Sequence, residues 1–413
     1  MRIFSRLTIL FLCALAVVSA SAQGSQQSPY SSYGYGMLSD NASSAQRAMG
    51  GVGYAMNNSR QINVMNPASY AAMDSLTFLW DFGVSLTNLN AKENGNTANK
   101  TGGGLDYVTM QFPICSFIGA SVGVIPFTSV GYSFGSEVVH GTDSHSGYGG
   151  ISQLYAGVGV RPFKGFSVGA NVAYQWGTTV NDIYAITELG NTTLFERVIQ
   201  VRDYHLDFGV QYDLRMGRRH KLTLGVTFAP GKSMHGHSWG VYYDVDNTSV
   251  PDTVDYHSLK GVYSIPARWG VGLAYTYDNR WTTEFDFTYQ DWKKAKYRGV
   301  EGFEGCDFDT RWKAAGGMSF QANPRGSWAR RITYRIGGYY THDYITLGGN
   351  NVREYGLSAG FGLPAPGSKT LVNIGFEYKH RSSSPQQLVT ENYFNITLGI
   401  NFNEMWFWKN KIQ

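Results

Sequence analysis

Three short patterns in this chain carry residue types that could do chemistry. Gly119-Ala120-Ser121-Val122-Gly123 has the Gly-x-Ser-x-Gly spacing of a nucleophile elbow, which needs a sharp strand-to-helix turn to expose the serine. Ser121 instead lies inside an alternating run that reads as one strand, so no exposed nucleophile is expected. His235 and His237 in "HGHS" could begin a metal site, but zinc needs at least three protein ligands and no third is indicated. Glu284 and Asp286 stand two apart, which puts two carboxylates on one face of a strand. That spacing serves acid–base catalysis or a buried polar network, and nothing else in the run favours catalysis. Cys115 and Cys306 are too few for a disulfide framework in 413 residues. The chain is expected to be no enzyme and to use no cofactor or metal.

The elements that position these residues follow from composition and periodicity. Charged residues are 15%, against about 25% in an ordinary soluble protein, while aromatics are 15%, with 50 glycines and only 12 prolines. This fits a β-rich chain with tight turns and excludes disorder. The formal charge of +4 is small, and Arg2 and Arg6 fall in a leader, so a nucleic-acid partner is not expected. That leader has a basic start, an apolar run over 7–18 and a small-residue cleavage site at Ala20-Ser21-Ala22. It is too short for a membrane span of about 20 residues and reads as a signal peptide over 1–22. Cys13 follows Phe11 and Leu12, too bulky for a lipoprotein signal.

From Ser75 onward a period of two keeps returning. Leu76, Phe78, Trp80, Phe82, Val84 and Leu86 oppose Thr77, Asp81, Gly83, Ser85 and Thr87. The same pattern recurs in "KLTLGVTF", "WTTEFDFTYQ" and "YFNITLGINF". Each is a strand with one apolar and one polar face. Fourteen such strands lie near 75–88, 104–113, 117–133, 150–161, 166–180, 203–214, 220–230, 264–277, 281–292, 307–321, 331–342, 352–363, 369–380 and 389–403. Long connections (89–103, 134–149, 181–202, 231–263, 293–306, 343–351, 381–388) alternate with short ones such as "PFKG" and "DNR". An exported chain of this kind reads as an all-β, transmembrane antiparallel barrel of about 14 strands in the outer membrane of a Gram-negative bacterium. The long loops then lie outside and both termini in the periplasm. Residues 75–403 form the barrel, and 404–413 a periplasmic tail. Trp281, Trp292, Tyr339, Tyr340, Trp406 and Trp408 are candidates for the aromatic girdles.

On the polar faces Asp81, Asp106, Asp207, Glu284, Asp286 and Glu377 should point into the lumen, with Arg335 and Lys379 near them. Charges removed from water need partners, so a network of ion pairs and hydrogen bonds is expected. Residues 23–74 do not alternate. They form either a periplasmic tail or a plug in the lumen, and "RAMGGVGYAM" and "INVMNPASYAAM" hold compact apolar pieces suited to a plug. Within them Pro67 fixes φ and lacks an N–H, and Asn66 can cap a turn. Asn66-Pro67-Ala68 is thus a hinge of the plug or simply the turn that aims the chain into the first strand.

"RAMGGVGYAM" followed by "NPASY" resembles the N-terminal hatch of the FadL/TodX family of outer-membrane transporters for long-chain fatty acids and aromatic hydrocarbons. "IPARWGVGLAYTYDNRWTTEFDFTYQDW" and "YRIGGYYTHDYITLGGNNVREYGLSAGFGLP" resemble its late strands. The resemblance implies a plugged fourteen-stranded barrel that takes up small hydrophobic molecules passively. It also implies a sideways exit into lipid at a kinked third strand. In that strand, "IGASVGVIPFTSVGYSF", Pro126 cannot donate to the ladder, and Gly123 and Gly131 flank it. A bulge there either opens the wall or only shapes the barrel. Related PorV-type barrels of type IX secretion hold or shuttle secreted proteins. That alternative implies a protein partner at long loops 181–202 and 231–263, beside outer-membrane lipid. The tract "SPYSSYGYGMLSD" over 28–40 departs from both patterns.

Overall fold

The computed structural model describes residues 28–405, apart from 75, 139–140, 190–191, 245–252, 300–305 and 367. The leader, its cleavage site, Trp406, Trp408 and nearly all of the 404–413 tail lie outside the described residues. Fourteen antiparallel strands close into a barrel. They are β1 (Thr77–Glu93), β2 (Asn96–Cys115), β3 (Ile118–Val138), β4 (Gly141–Phe163), β5 (Phe166–Thr187), β6 (Thr192–Met216) and β7 (His220–Ala229). β8 (Arg268–Tyr277), β9 (Trp281–Gln290), β10 (Arg311–Gln321), β11 (Thr333–Leu347), β12 (Asn350–Pro364), β13 (Leu371–Ser384) and β14 (Thr390–Met405) complete it. Closure is by β1 on β14, from Thr77 opposite Met405 to Lys92 opposite Thr390.

Burial decides which way the faces point. Leu86, Phe285, Phe287, Val271 and Leu357 are exposed on the outer wall, while Asp81, Glu284, Asn401 and Gln211 are buried inside. A soluble sandwich would have the reverse arrangement. An apolar outer wall and a closed ladder meet the bilayer's requirement that every backbone group be paired within the protein. Of the girdle candidates, Trp281 lies on the outer wall, and Tyr340 shares the outward row of Tyr334 and Ile336 by the strand period. Two are corrected. Tyr339 points inward and donates to Glu377 Oε1 at 2.8 Å, and Trp292 is fully buried in an aromatic cluster.

Most expected long loops are instead strand. β3 to β6 run for 21 to 25 residues, about twice the length that crosses a bilayer. Residues 89–103 form a hairpin closed by Asn94-Gly95, both at positive φ, which is the two-residue turn that matches strand twist. Residues 231–263 contain a further hairpin, Gly236–Asp244 with Thr253–Ser258, whose first arm pairs with the upper part of β6. Beyond the lipid neither face meets hydrocarbon, so the alternation fades although the ladder continues.

Residues 28–74 lie against the inward faces of the strands. They begin at the end of the barrel with the long hairpins, where Ser28 N donates to Gly131 O at 2.6 Å. They end at the short-turn end, where β1 starts. Inside are a short strand, Met37–Leu38, a one-turn helix Ser44–Arg47 with a Ser43/Gln46 capping box, and a 3₁₀ helix Pro67–Ala72.

Candidate functional site

Glycine rows on the wall create the space for the N-terminal segment. Gly119, Gly159, Gly169 and Gly209 stand directly opposite one another on β3, β4, β5 and β6. A Cβ at Gly119 would lie 2.0 Å from Tyr70 O, one at Gly169 2.4 Å from Pro67 C, and one at Gly209 2.1 Å from Asn66 Oδ1. No side chain fits there, so this row is a groove that seats the turn beginning at Asn66. Asn66 Oδ1 accepts from Ala68 N at 3.1 Å, and its Nδ2 donates to Tyr54 O at 2.6 Å and Val210 O at 3.3 Å. Pro67 occupies the first position of the 3₁₀ helix and Ala68 is fully buried. Asn66 therefore caps the turn and ties it to the wall. Asn66→Ala should cost about 1 kcal/mol as a lost cap, while the Tyr54 carbonyl keeps its bond from Gln211 Nε2 at 3.0 Å. Urea unfolding in micelles measures it.

The expected lumen network separates into several clusters. Glu284 Oε1 accepts from Ala55 N at 2.8 Å, and Asp286 Oδ2 accepts from Gly53 N at 2.6 Å and Tyr54 N at 3.0 Å. This pair binds the backbone of the N-terminal segment. Asp81 accepts from Tyr107 Oη at 3.0 Å and Asn401 Nδ2 at 3.4 Å. Glu377 bridges Tyr339 and Asn395. Asp106 pairs with Arg47 at 2.9 Å, and Asp207 with Arg268. Arg335 joins none of these; its Nη1 donates to Asn373 Oδ1 at 2.9 Å.

Several members of the charge system were not apparent in the sequence. Asp40, from the N-terminal segment, reaches Lys313 Nζ at 2.5 Å and Arg311 Nη2 at 3.2 Å. Burial alone would raise its pKa, but the two cations outweigh that and hold the carboxyl below its ordinary range. Nearer the long-hairpin end, Arg381 bonds Glu354 and lies 3.5 Å from Glu391, which also accepts from Ser28 Oγ and Tyr393 Oη, both at 2.7 Å. Lys379 sits 3.7 Å from Glu354. A cavity of about 130 Å³ lies among these groups. Asp40, Ser28 and Arg47 carried no periodic signal, so only their contacts reveal them.

At the long-hairpin end the lumen is closed by apolar packing. Tyr35 sits among Tyr263, Trp292, Tyr297 and Phe308, with ring centroids 5.2 to 6.4 Å away. Tyr344 Oη donates to Gly36 O at 2.6 Å, and Tyr297 Oη to Gly34 O at 2.9 Å. The unusual 28–40 tract is therefore a stopper at this end.

The wall itself parts beside β3. Pairing between β2 and β3 stops at Val108 opposite Val124. Beyond it β2 pairs only with β1, and β3 only with β4 on the outer ring. The β3–β4 register shifts between Pro126 and Thr128, as a bulge requires. Gly123 is at the seam's start, where a Cβ would meet Val108 O at 2.5 Å. The freed edge of β3 is covered from inside, with Met37 opposite Ser129 and Leu38 opposite Thr128. Ser39 N donates to Phe127 O at 2.9 Å, and both backbone groups of Gly131 bond Ser28 or Ser31.

The three early motifs find structural places. Ser121 lies within β3, its Oγ donating to Met110 O at 2.8 Å. His235 pairs with Asp203 at 3.1 Å beside Lys232, and His237 is in the added hairpin, stacked on Tyr256. Among the described residues no group of three metal-ligating side chains occurs.

The sequence profile of the BamG family matches residues 4–413. The chain belongs to the BamG family. No curated protein matches it. This BamG-family barrel is similar to a solved Pseudomonas aeruginosa FadL homologue, with TM-score 0.64 and 11% identity over 89% of this chain and 99% of that one. It is also similar to the Pseudomonas putida toluene transporter TodX, with TM-score 0.59 and 12% identity over 90% and 100% of the two chains. The Ralstonia pickettii toluene transporter TbuX gives TM-score 0.54 and 12% identity over 88% and 98%. At these identities the likeness to FadL/TodX proteins is one of fold.

Proposed function

We propose that the chain is an outer-membrane channel for passive uptake of small hydrophobic molecules such as long-chain fatty acids. The observation that carries this is the seam between β2 and β3, covered from inside by Met37–Ser39 and, at Gly131, by Ser28 and Ser31. A molecule inside that displaced this cover would meet hydrocarbon directly, and the charged lumen beyond would disfavour its going further. The N-terminal segment is then a plug, seated by Asn66, Pro67 and Ala68, and Gly123, Pro126 and Gly131 shape the exit. Glu284 and Asp286 hold the plug in register through Gly53, Tyr54 and Ala55, while Asp81, Glu377 and Arg335 tie wall residues to one another, and no catalysis is involved. The test is uptake of radiolabelled oleate by Gram-negative cells dependent on this protein. Pro126→Val restores an N–H that can extend the ladder and should cut uptake to a small fraction of wild type, with the heat-modifiable gel shift of the barrel unchanged. Wild-type uptake in that variant would reject the side exit.

The aromatic stopper favours a second reading, a barrel scaffold or shuttle that holds secreted or surface proteins as PorV-type barrels do. The hairpin Gly236–Asp244 and Thr253–Ser258 would then be the partner surface. Native mass spectrometry of gently extracted protein separates the two, as a bound apolar small molecule or as a bound polypeptide.

A further inference from the structure

A cavity of about 810 Å³ opens at the short-turn mouth, below the N-terminal segment. Its lining is strongly basic. Arg60 comes from the N-terminal segment, Lys221 from β7, Arg325 and Arg331 from the β10–β11 connection, and Lys369 from the β12–β13 connection. Among the described residues the lining has one carboxylate, Asp278, which is already 3.3 Å from Arg280. Arg335 is the deepest cation, 4% exposed. Its described partner is the neutral amide of Asn373, and among the described residues it makes no ion pair within 4.0 Å. The guanidinium of Arg331 likewise has a buried Nε without a hydrogen-bond partner.

Several other inward-pointing cations are ion-paired, whereas the buried carboxylates Asp81, Glu284 and Asp286 are held by neutral donors. Arg381 has Glu354 and Glu391, Lys313 and Arg311 have Asp40, Arg268 has Asp207, and Arg47 has Asp106. A buried charge without a direct ion pair is costly; Asp81 acts on Arg335 only from beyond ion-pair distance, and the guanidinium faces a cavity large enough for a ligand. Two further facts narrow the anion. With Arg335 the lining carries the cations Arg60, Lys221, Arg325, Arg331 and Lys369 on separate strands and connections, more positive charge than one small anion balances. They also line the lumen, which lipid headgroups outside the barrel wall do not enter.

We propose that this mouth is a receptor for an acidic peptide segment of a partner protein, with one carboxylate seated on Arg335 and others on the basic rim. This goes beyond channel activity and does not depend on it. Such a site should bind with a strong salt dependence, because exposed rim charges are screened over about 10 Å at 0.1 M salt.

The experiment is fluorescence anisotropy of a fluorescein-labelled deca-glutamate peptide with detergent-solubilised full chain. Binding that weakens with salt is expected, with affinity lower by about tenfold in Arg335→Met, as for a lost charged hydrogen bond. Arg325→Glu with Lys369→Glu should weaken it as well. Arg335→Met should also keep or raise the melting temperature without peptide, because it removes an unmatched buried charge. A lower melting temperature with unchanged peptide affinity would make Arg335 a structural residue and overturn the proposal. No binding of the peptide, or competition by inorganic phosphate at equal concentration, would overturn it too, the latter by showing a small-anion site. A failure of oleate uptake would leave these results untouched, so the two readings fail separately.

Discussion

Arg381→Ala should lower the stability of the barrel by about 3–5 kcal/mol, the usual cost of removing one partner from a buried ion pair. Arg381 is 3% exposed and stands between Glu354 and Glu391. Its loss leaves two carboxylates in the lumen facing one another. Lys379, 3.7 Å from Glu354, acts on Glu391 only from beyond ion-pair distance, so Glu391 is the carboxylate left short of a partner. The effect should spread to the N-terminal segment, because Ser28 donates to the same Glu391. Urea unfolding in micelles reads the loss, and limited proteolysis should show early cutting near Ser28. Adding Glu391→Gln to the variant should recover much of the stability, since most of the cost is an uncompensated charge and the amide can still hydrogen-bond with Ser28 and Tyr393. A single variant as stable as wild type would mean that this cluster is open to water and contributes little.

Gly169→Val should separate the barrel from the segment inside it. A strand welcomes valine, and Gly169 keeps its place opposite Gly159 and Gly209 in the ladder. But the new Cβ would stand 2.4 Å from Pro67 C and 2.6 Å from Ala68 N. Both are backbone atoms of a turn fixed by Asn66 and by proline, so neither can swing aside. Overpacking of this sort costs about 1–3 kcal/mol, here against the seating of the segment. The expected result is a barrel that still shows its gel shift but whose residues 28–74 are cut rapidly by protease. Equal protection in variant and wild type would mean that the turn does not rest in this groove.

How far these sites could be read beforehand depends on what each residue touches. The alternation in "LTFLWDFGVSL" and "WTTEFDFTYQ" follows from lipid on one side and a polar lumen on the other, both properties of single strands. It marked all fourteen strands and correctly pointed Asp81, Glu284 and Asp286 inward. It lost the upper parts of β1 to β6, where neither face meets lipid. There the turn residues Asn94-Gly95 were the remaining signal, since both must take positive φ. Trp292 and Tyr339 looked like girdle residues because an aromatic near a strand end is the same in sequence whether it faces headgroups or the interior. Pro126 announced a break in the ladder by chemistry alone, through its missing N–H. That β2 and β3 separate there, and that Met37–Leu38 covers the edge, is a matter of which strands lie side by side.

By itself, then, the sequence determined a closed all-β barrel with its apolar face outward, the place of the bulge in β3, and a non-alternating segment ahead of β1. Those features rest on local period, turn chemistry and the demand that backbone in lipid be paired. Only the tertiary structure decided the partners. Asp40 meets Lys313 across more than 270 residues, Ser28 meets Glu391 across 363, and four glycines line up on four strands to seat one turn. It also decided that Arg335 meets the neutral Asn373, while Arg47, Arg268, Arg311, Lys313 and Arg381 meet carboxylates. A charge's counter-ion is set by the register and shear of the whole barrel, which no stretch of residues carries within itself.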